Sequence, residues 1–245
     1  MNARTILSLS GDDRIAFLQD LVTNDVTPRD RLIYAALLTP QGKYLADFFV
    51  LNRDDRTLID ADAGQADALA ARLTMYRLRR KIGIDVTDMP VACGTGPAPE
   101  GALPDPRHPD LGWRLYGSDG EDGTDWDAVR VAHCIPQAGI ELIPDDTYLL
   151  EAGFERLNGV DFRKGCYVGQ EIVARMKHKT DLRKGLATVA VTGDAAPGTP
   201  IMAGDKPAGT LHTRSGDRAI AYLRFDRVTD DMRAGEAAVG DVRRF

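Results

Sequence analysis

Residues 164–175 read KGCYVGQEIVAR, a glycine-flanked loop that runs directly into a helical pattern. Cys166 lies between Gly165 and Gly169, and glycine tolerates positive φ and lets another backbone or a ligand approach closely. From Gln170 to Met176 the residue pattern predicts a helix that starts immediately after the second glycine. The stretch therefore predicts a small, bent loop that presents a cysteine near the start of a helix.

Positive charge precedes this cysteine. Arg163 and Lys164 come immediately before the loop, and both nearby cations and a helix N-terminus favour the thiolate form of a cysteine. The alternative is a cysteine that packs as a small apolar residue. Because charge, glycines and helix start coincide at Cys166, we interpret it as reactive, whereas we prefer the packing alternative for Cys93 and Cys134.

The chain upstream of this loop mixes hairpins with helices. Two apolar runs at 32–38 and 44–51 are joined by turn residues at 40–42, which predicts a β-hairpin. Capping residues and apolar periodicity predict helices at 11–22 and 65–78 and strands at 57–61 and 82–86. This mixture differs from the strict strand-helix alternation of a parallel sheet and predicts an α+β fold.

The residue patterns change twice further along the chain. Residues 89–127 are rich in Gly, Pro and Asp and predict a long irregular connection with one strand near Trp113 to Tyr116. Helices are predicted to begin at Val129 and to span Leu149 to Leu157. Short β-like segments separated by Gly and Pro then predict a small all-β terminal domain. The predicted domains are an α/β region at 1–184 and a β-barrel domain at 185–245.

The cysteine count limits the metal chemistry of the chain. Three cysteines, far apart and odd in number, do not form a disulfide framework. The sequence contains no CxxC and no HxxxH, and an iron-sulfur cluster usually takes four thiolates. We therefore predict reduced thiols and no resident metal, so that any iron-sulfur cluster is transient or shared with a partner.

Charge and hydropathy exclude other classes of protein. The net charge of -6 and the pI of about 5.3 argue against a nucleic-acid coat, so RNA is not expected as a partner. No run approaches the roughly eighteen apolar residues of a membrane span, and without a secretory h-region the predicted location is the cytoplasm.

Two basic clusters are either solvated helix faces or contacts for an anionic partner. They are Arg163, Lys164, Arg175, Lys177, Lys179, Arg183 and Lys184, and Arg72, Arg77, Arg79, Arg80 and Lys81.

The segment at 164–175 resembles the signature of the YgfZ family, folate-binding proteins of iron-sulfur cluster biogenesis whose mitochondrial relatives act in late 4Fe-4S assembly. Further stretches resemble this family at 17–26, 40–43, 76–81, 105–107, 112–114 and 141–144. The family is similar in fold to the folate-dependent aminomethyltransferase of the glycine cleavage system. The resemblance implies an aminomethyltransferase-like cloverleaf of two interleaved α/β subdomains, a small C-terminal β-barrel and a central opening for tetrahydrofolate.

The resemblance also implies roles for particular residues. Cys166 is the candidate catalytic thiol, and Glu151 matches the transferase glutamate that bonds the pterin, since a carboxylate accepts paired hydrogen bonds from an amino group and a ring N–H. Asp47, Lys164 and Tyr167 complete the predicted cofactor site. Where the transferase has two adjacent aspartates, this chain has Ala46-Asp47, which removes one candidate acid. The rest of the motif supports the thiol through Lys164, Gly165, Tyr167, Gly169, Gln170, Glu171 and Arg175.

Three functions are open at this point. The first is a tetrahydrofolate-binding factor for the assembly or repair of iron-sulfur proteins, which uses Cys166 and works with assembly proteins or client enzymes. The second is a folate-dependent one-carbon transferase that uses Asp47. The third is a non-catalytic module whose basic clusters hold an acidic protein or RNA. We rank them in this order, and the sequence leaves enzymatic turnover undecided.

Overall fold

A computed structural model describes residues 2–120, 122–178 and 181–245. Its first half contains a five-stranded antiparallel sheet in the order β2-β3-β4-β1-β5. The predicted hairpin, the two later strands and the second helix are confirmed. The elements are β1 (Arg4–Ser10), α1 (Arg14–Gln19), β2 (Ile33–Leu38), β3 (Tyr44–Asn52), β4 (Arg56–Asp62), α2 (Ala63–Arg77) and β5 (Gly83–Thr87).

Both faces of this sheet are buried. Ile33 and Leu37 of β2 belong to the core that α1 and α2 cover, whereas Tyr34 and Leu38 belong to a second core on the other face. Alternate residues of a strand point to opposite faces, so a strand buried on both sides reads as an unbroken apolar run. The run at 32–38 is explained in this way.

Helix α1 is shorter than the helix predicted at 11–22. It ends at Gln19, and Val22 instead forms an isolated antiparallel bridge with Leu37 of β2. Leu21 and Val22 are nevertheless buried in the same core as Phe17. Their helical spacing in the sequence reflects this shared burial and not one continuous helix.

The connection at 89–127 contains more structure than predicted. Strands β6 (Val91–Gly94) and β7 (Leu103–Pro104) pair with opposite edges of β8 (Trp113–Tyr116), so the prediction of a single strand is wrong. The two added strands have 4 and 2 residues. Segments this short show no periodicity, and they are extended because they pair with β8.

Buried ion pairs fasten this small sheet to the large one. Arg114 on β8 contacts Asp60 of β4 at 3.1 Å and Asp105 at 3.2 Å. Arg4 of β1 also pairs with Asp60, at 2.6 Å, and Arg107 pairs with Asp105, at 2.8 Å. Each buried carboxylate is therefore paired with two guanidinium groups, which offsets the cost of removing it from water.

The helix predicted at 149–157 is wrong, because the structure has consecutive turns there. Gly153 and Asn158 have left-handed backbone, with φ of +77° and +55°. The N–H of Phe154 bonds the carbonyl of Leu149 at 3.1 Å, a spacing of five residues that no α-helix has. The apolar side chains of the segment are buried all the same, so their spacing imitated a helix.

The C-terminal part is a closed β-barrel, as predicted, with strands in the order β10-β11-β12-β9-β14-β13 around an apolar core. Helix α3 (Trp126–His133) packs against it, where Arg130 donates to Thr213 at 3.1 Å. Helix α4 (Gln170–His178) begins where the sequence predicted. None of the helices in the described residues is long and apolar enough to span a bilayer. The barrel strands are β9 (Lys184–Thr192), β10 (Pro200–Ala203), β11 (Lys206–Ser215), β12 (Arg218–Arg224), β13 (Met232–Ala234) and β14 (Ala237–Arg243).

Candidate functional site

The chain that leads to Cys166 is fastened to the connection between α1 and β2. Thr23 donates through Oγ1 to the carbonyl of Gly159 at 2.6 Å, and its own carbonyl accepts the N–H of Asp161 at 3.0 Å. Asn24 donates through Nδ2 to the carbonyl of Asn158 at 2.7 Å. This Thr-Asn pair lies in the stretch at 17–26 that resembles the family. Its partners lie more than a hundred residues away, which no local pattern reveals.

Lys164 continues this anchor. Its Nζ donates to the carbonyls of Gln19, Val22 and Asn24 at 2.9, 2.5 and 2.8 Å. An ammonium has three N–H donors, so all of them are used at the end of α1 and none remains for the thiol. Burial lowers the pKa of Lys164 to about 8. The structure therefore shows Lys164 as the residue that holds the loop in place.

A second anchor lies on the other side of the cysteine, where α4 begins. Gly169 has φ of +84° and packs against the β2-β3 turn, in which Gly42 has φ of +74°. A Cβ on Gly42 would lie 2.7 Å from Cβ of Ile172 on α4. Gln170 accepts the N–H of Tyr167 on its Oε1 at 3.1 Å and so closes the loop. The two backbones approach this closely because both positions are glycine.

Cys166 is exposed between the two anchors, whereas Cys93 and Cys134 are buried. Burial raises the pKa of Cys93 and raises that of Cys134 to about 12. Gly165 has open space around it and no positive φ, unlike Gly169, so only the second glycine is needed for the backbone conformation. Of the three thiols, Cys166 is the one that a partner or reagent can reach in the folded chain.

The other residues of the motif either pack against the core or lie on the surface. Tyr167 is half-buried against the core, and burial raises its pKa to about 12. Glu171 and Arg175 are exposed on α4. A polar groove of about 480 Å³ lies beside the chain that enters the motif, and its lining includes Asn24, Asp25, Arg31, Asn158, Asp161 and Arg163.

Asp47 lies in the centre of the molecule. Its carboxylate accepts hydrogen bonds from the hydroxyls of Tyr34 at 3.0 Å and Tyr44 at 2.6 Å. Burial, together with the charge of Asp47, raises the pKa of both tyrosines well above the usual value. Tyr34 stacks on Phe154 with ring centroids 5.1 Å apart, and Arg107 lies 5.4 Å from the centre of the Tyr34 ring. The predicted central opening is filled here, since the cavity at Asp47 is about 30 Å³.

Glu151 lies at the seam between the turns at 149–157 and the barrel. Its Oε2 accepts the hydroxyl of Tyr222 on β12 at 2.7 Å, and its carbonyl accepts the N–H of Leu186 on β9 at 2.8 Å. Burial, and then the bond to Glu151, raises the pKa of Tyr222. Glu151 lines a cavity of about 70 Å³ together with Arg244 and Phe245. Neither this cavity nor the one at Asp47 is lined by Lys164 or Tyr167, so the four predicted cofactor residues do not converge there.

The two basic clusters are partly paired within the described residues. Arg80 contacts Asp20 at 2.6 Å, and Arg77 donates to the carbonyl of Ile82 at 3.0 Å. In the other cluster Lys177 pairs with Glu155, while Lys179 lies outside the described residues. Pairing of this kind reduces the positive charge that either cluster offers to an anionic partner.

Two sheets, a closed C-terminal barrel and an exposed cysteine loop fastened at both ends define the class of protein. The crystal structure of glycine cleavage system aminomethyltransferase T from Bartonella henselae matches this fold with a TM-score of 0.71. The match covers 96% of this chain and 81% of that chain at 11% sequence identity. The chain is therefore an aminomethyltransferase T-like protein in its fold, as the resemblance implied.

Sequence relatives narrow this class to a family. The mitochondrial iron-sulfur cluster assembly factor IBA57 homolog of Phaeosphaeria nodorum is 31% identical over 92% of this chain and 70% of its own length. The human mitochondrial factor IBA57 is 29% identical over 97% of this chain and 81% of its own length. Residues 183–243 also match the family described as CAF17, C-terminal beta-barrel domain. The chain belongs to the IBA57 family, and the narrower grouping with YgfZ stays a prediction.

The predicted location is wrong. The relatives in Homo sapiens, Mycosarcoma maydis and Mus musculus are all mitochondrial by name, which contradicts the cytoplasm. A residue pattern that does not match a secretory signal does not separate the cytoplasm from the interior of an organelle.

Proposed function

We propose that this chain acts in iron-sulfur cluster assembly by offering the Cys166 thiolate as a ligand to a cluster that it shares with a partner. The observation that carries the proposal is the contrast among the three cysteines, of which only Cys166 is exposed. One thiolate cannot complete an iron-sulfur cluster, because such clusters take four. The remaining ligands therefore come from an assembly protein or from the client enzyme.

The rigidity of the loop supports this role. Lys164 fixes its entry through three carbonyls, and Gly169 fixes its exit against the β2-β3 turn. A thiol held at both ends is presented in one geometry, and a partner then loses less conformational entropy when it binds. The names of the relatives, which are iron-sulfur cluster assembly factors, agree with a role of this kind.

Tetrahydrofolate is the second part of the proposal, with Glu151 as the residue that bonds the pterin. The fold of the folate-dependent transferase supports it, and so does the carboxylate at the barrel seam, which accepts the hydroxyl of Tyr222 through one oxygen, Oε2. The cavities of about 70 Å³ at Glu151 and about 30 Å³ at Asp47 are far below the roughly 300 Å³ of a small-molecule site. A pterin therefore does not fit the structure as it stands, and binding requires that Arg244 and Phe245, which line the Glu151 cavity, move aside.

A complementation experiment tests the role of the Cys166 thiol. In cells that lack the protein, we expect Cys166→Ser to leave the activity of iron-sulfur enzymes unrestored, while the matched Cys93→Ala variant restores it. Cys93 is buried in the core, so its variant also controls for expression and stability. Full restoration by Cys166→Ser would overturn the proposal.

A binding titration tests the proposed tetrahydrofolate site at Glu151. Tetrahydrofolate added to the purified chain is expected to bind at least about tenfold more weakly to Glu151→Gln than to the wild type. Glu155→Gln is the control, because Glu155 lies on the same segment but pairs with Lys177 on the surface. Equal binding by all three proteins would remove Glu151 from the site and leave the thiol proposal intact.

A further inference from the structure

Two histidines and an aspartate that are separated in the sequence meet beside α3. His108 precedes a short 3-10 turn at Pro109–Leu111 that contains Asp110, and His133 is the last residue of α3. Nε2 of His133 lies 2.8 Å from Oδ2 of Asp110, and Nδ1 of His108 lies 4.0 Å from the same oxygen. One ligand atom from each of the three residues can be chosen so that all lie within 4.8 Å of one another.

These distances suit a metal ion. Zinc binds imidazole nitrogen and carboxylate oxygen at about 2.0–2.2 Å, and tetrahedral geometry then spaces neighbouring ligand atoms by about 3.3 Å. The two distances to the Asp110 oxygen, 2.8 and 4.0 Å, lie on either side of that spacing. A rotation of the Asp110 side chain that moves its oxygen away from His133 and toward His108 would bring both distances to that spacing.

The two imidazole rings already face each other. Their centroids are 4.0 Å apart with an interplanar angle of 28°. His108 accepts the N–H of Asp110 on Nδ1 at 3.2 Å, so the lone pair of that nitrogen is directed toward the Asp110 segment. A metal ion at this nitrogen would compete with a single long hydrogen bond, which is a small loss.

The charges around the cluster also favour a cation. The carboxylates of Asp110 and Asp105 act on His108, and negative charge at this place favours a bound cation. Asp110 supplies a carboxylate whose side chain is 62% exposed, while the side chains of His108 and His133 are 31% and 27% exposed. Arg156 is the opposing charge that acts on His108. The cluster is accessible to solvent, so an ion can enter and water can fill the remaining positions.

We infer that His108, Asp110 and His133 form a binding site for a divalent transition-metal ion of the Zn²⁺ or Fe²⁺ kind, with its remaining coordination positions open. Two imidazoles and one carboxylate are the donor set that such ions take when they keep open positions. The site is independent of Cys166 and of folate. Sequence reasoning missed it because His108 and His133 are 25 positions apart and only the packing of α3 joins them.

Calorimetric titration of Zn²⁺ tests the site in the full chain carrying Cys166→Ser, which removes the exposed thiol as a competing ligand. One Zn²⁺ per chain is expected to bind, and His133→Gln or Asp110→Asn to weaken binding at least about tenfold. His178→Gln is the matched control and is expected to bind as the parent does. Binding that is equally tight in all four proteins, or that is undetectable at millimolar Zn²⁺, would overturn the inference.

The absorption spectrum of bound Co²⁺ gives a second measurement, which does not depend on the stability of the protein. Co²⁺ added to the wild-type chain is expected to produce the visible ligand-field bands of nitrogen and oxygen coordination, and these bands are expected to vanish in His133→Gln. Intense sulfur charge-transfer bands that persist in His133→Gln would assign the metal to a thiol and overturn the inference.

Discussion

The backbones of Gly169 and Thr39 are in close contact, since a Cβ placed on Gly169 would lie 2.6 Å from the carbonyl oxygen of Thr39. The contact joins the first turn of α4 to the β2-β3 hairpin, and it fixes where the chain leaves the cysteine loop. Residues 130 positions apart in the sequence thus set the position of one thiol.

Gly169→Ala is expected to destabilise the fold by roughly 2–4 kcal/mol, because the new Cβ strains a positive φ and contacts a carbonyl that cannot move freely. Chemical denaturation measures the free energy of unfolding. Gly165→Ala is the control, since its Cβ would meet nothing within 4 Å and its φ is not positive. If both variants lose the same stability, the close contact at Gly169 is not what requires glycine.

Lys164→Met is expected to lower the free energy of unfolding by roughly 2 kcal/mol, because three carbonyls at the end of α1 lose a charged donor. The neighbouring Arg163 has a side chain that is 95% exposed. Arg163→Met should therefore stay within about 0.5 kcal/mol of the wild type in the same measurement. A larger loss from Arg163 than from Lys164 would contradict the anchoring role of the lysine.

A thiol-specific reagent is expected to modify one cysteine in the native chain and three after denaturation. Cys166 is exposed, whereas Cys93 and Cys134 are buried and burial raises the pKa of each. Mass spectrometry of the labelled protein identifies the site. The Cys166→Ser variant should take up no label in the native state and two labels when unfolded, and rapid native labelling of that variant would show that the core is open.

Acid should weaken the ion network between the two sheets. Burial alone raises the pKa of Asp105, but Arg107 and Arg114 outweigh it and lower the pKa to about 2. The folded-state pKa lies below the ordinary value of 3.8, so the stabilisation is complete above pH 3.8 and is lost as the pH falls toward 2. Its size is on the order of 2 kcal/mol.

Asp105→Asn tests this acid dependence. The variant is expected to lose roughly 3 kcal/mol at neutral pH, because two guanidinium groups lose a buried partner. Its stability should then fall less steeply than that of the wild type below pH 4. Asp88→Asn, at an exposed carboxylate, should follow the wild-type curve, and an unchanged slope in Asp105→Asn would assign the acid sensitivity to other groups.

The sequence predicted those parts of the fold that local patterns encode. The β2-β3 hairpin and α2 have clear periods, and the motif around Cys166 carried the resemblance that implied the barrel. The segment at 149–157 failed because its apolar spacing matched a helix while Gly153 takes a positive φ. Strands β6 and β7 were missed because they are extended only through pairing with β8.

The candidate site, like the fold, is predicted by the sequence only in part. The exposure of Cys166 agrees with its glycines and polar flanks, but Lys164 was assigned to the thiol when its partners are the carbonyls of α1, up to 145 positions away. Asp47 and Glu151 line separate cavities, so the shared cofactor site that the resemblance implies stays a prediction. Side-chain partners distant in the chain are set by tertiary packing, which a local pattern does not contain.

Glu151 bonds to the barrel twice, through its carbonyl to Leu186 on β9 and through its carboxylate to Tyr222 on β12. A movement of the barrel relative to the sheets would therefore strain the main-chain bond and the side-chain bond of Glu151 together. The cavity beside Glu151 is therefore held between the turns at 149–157 and the barrel, which makes up about the last quarter of the chain.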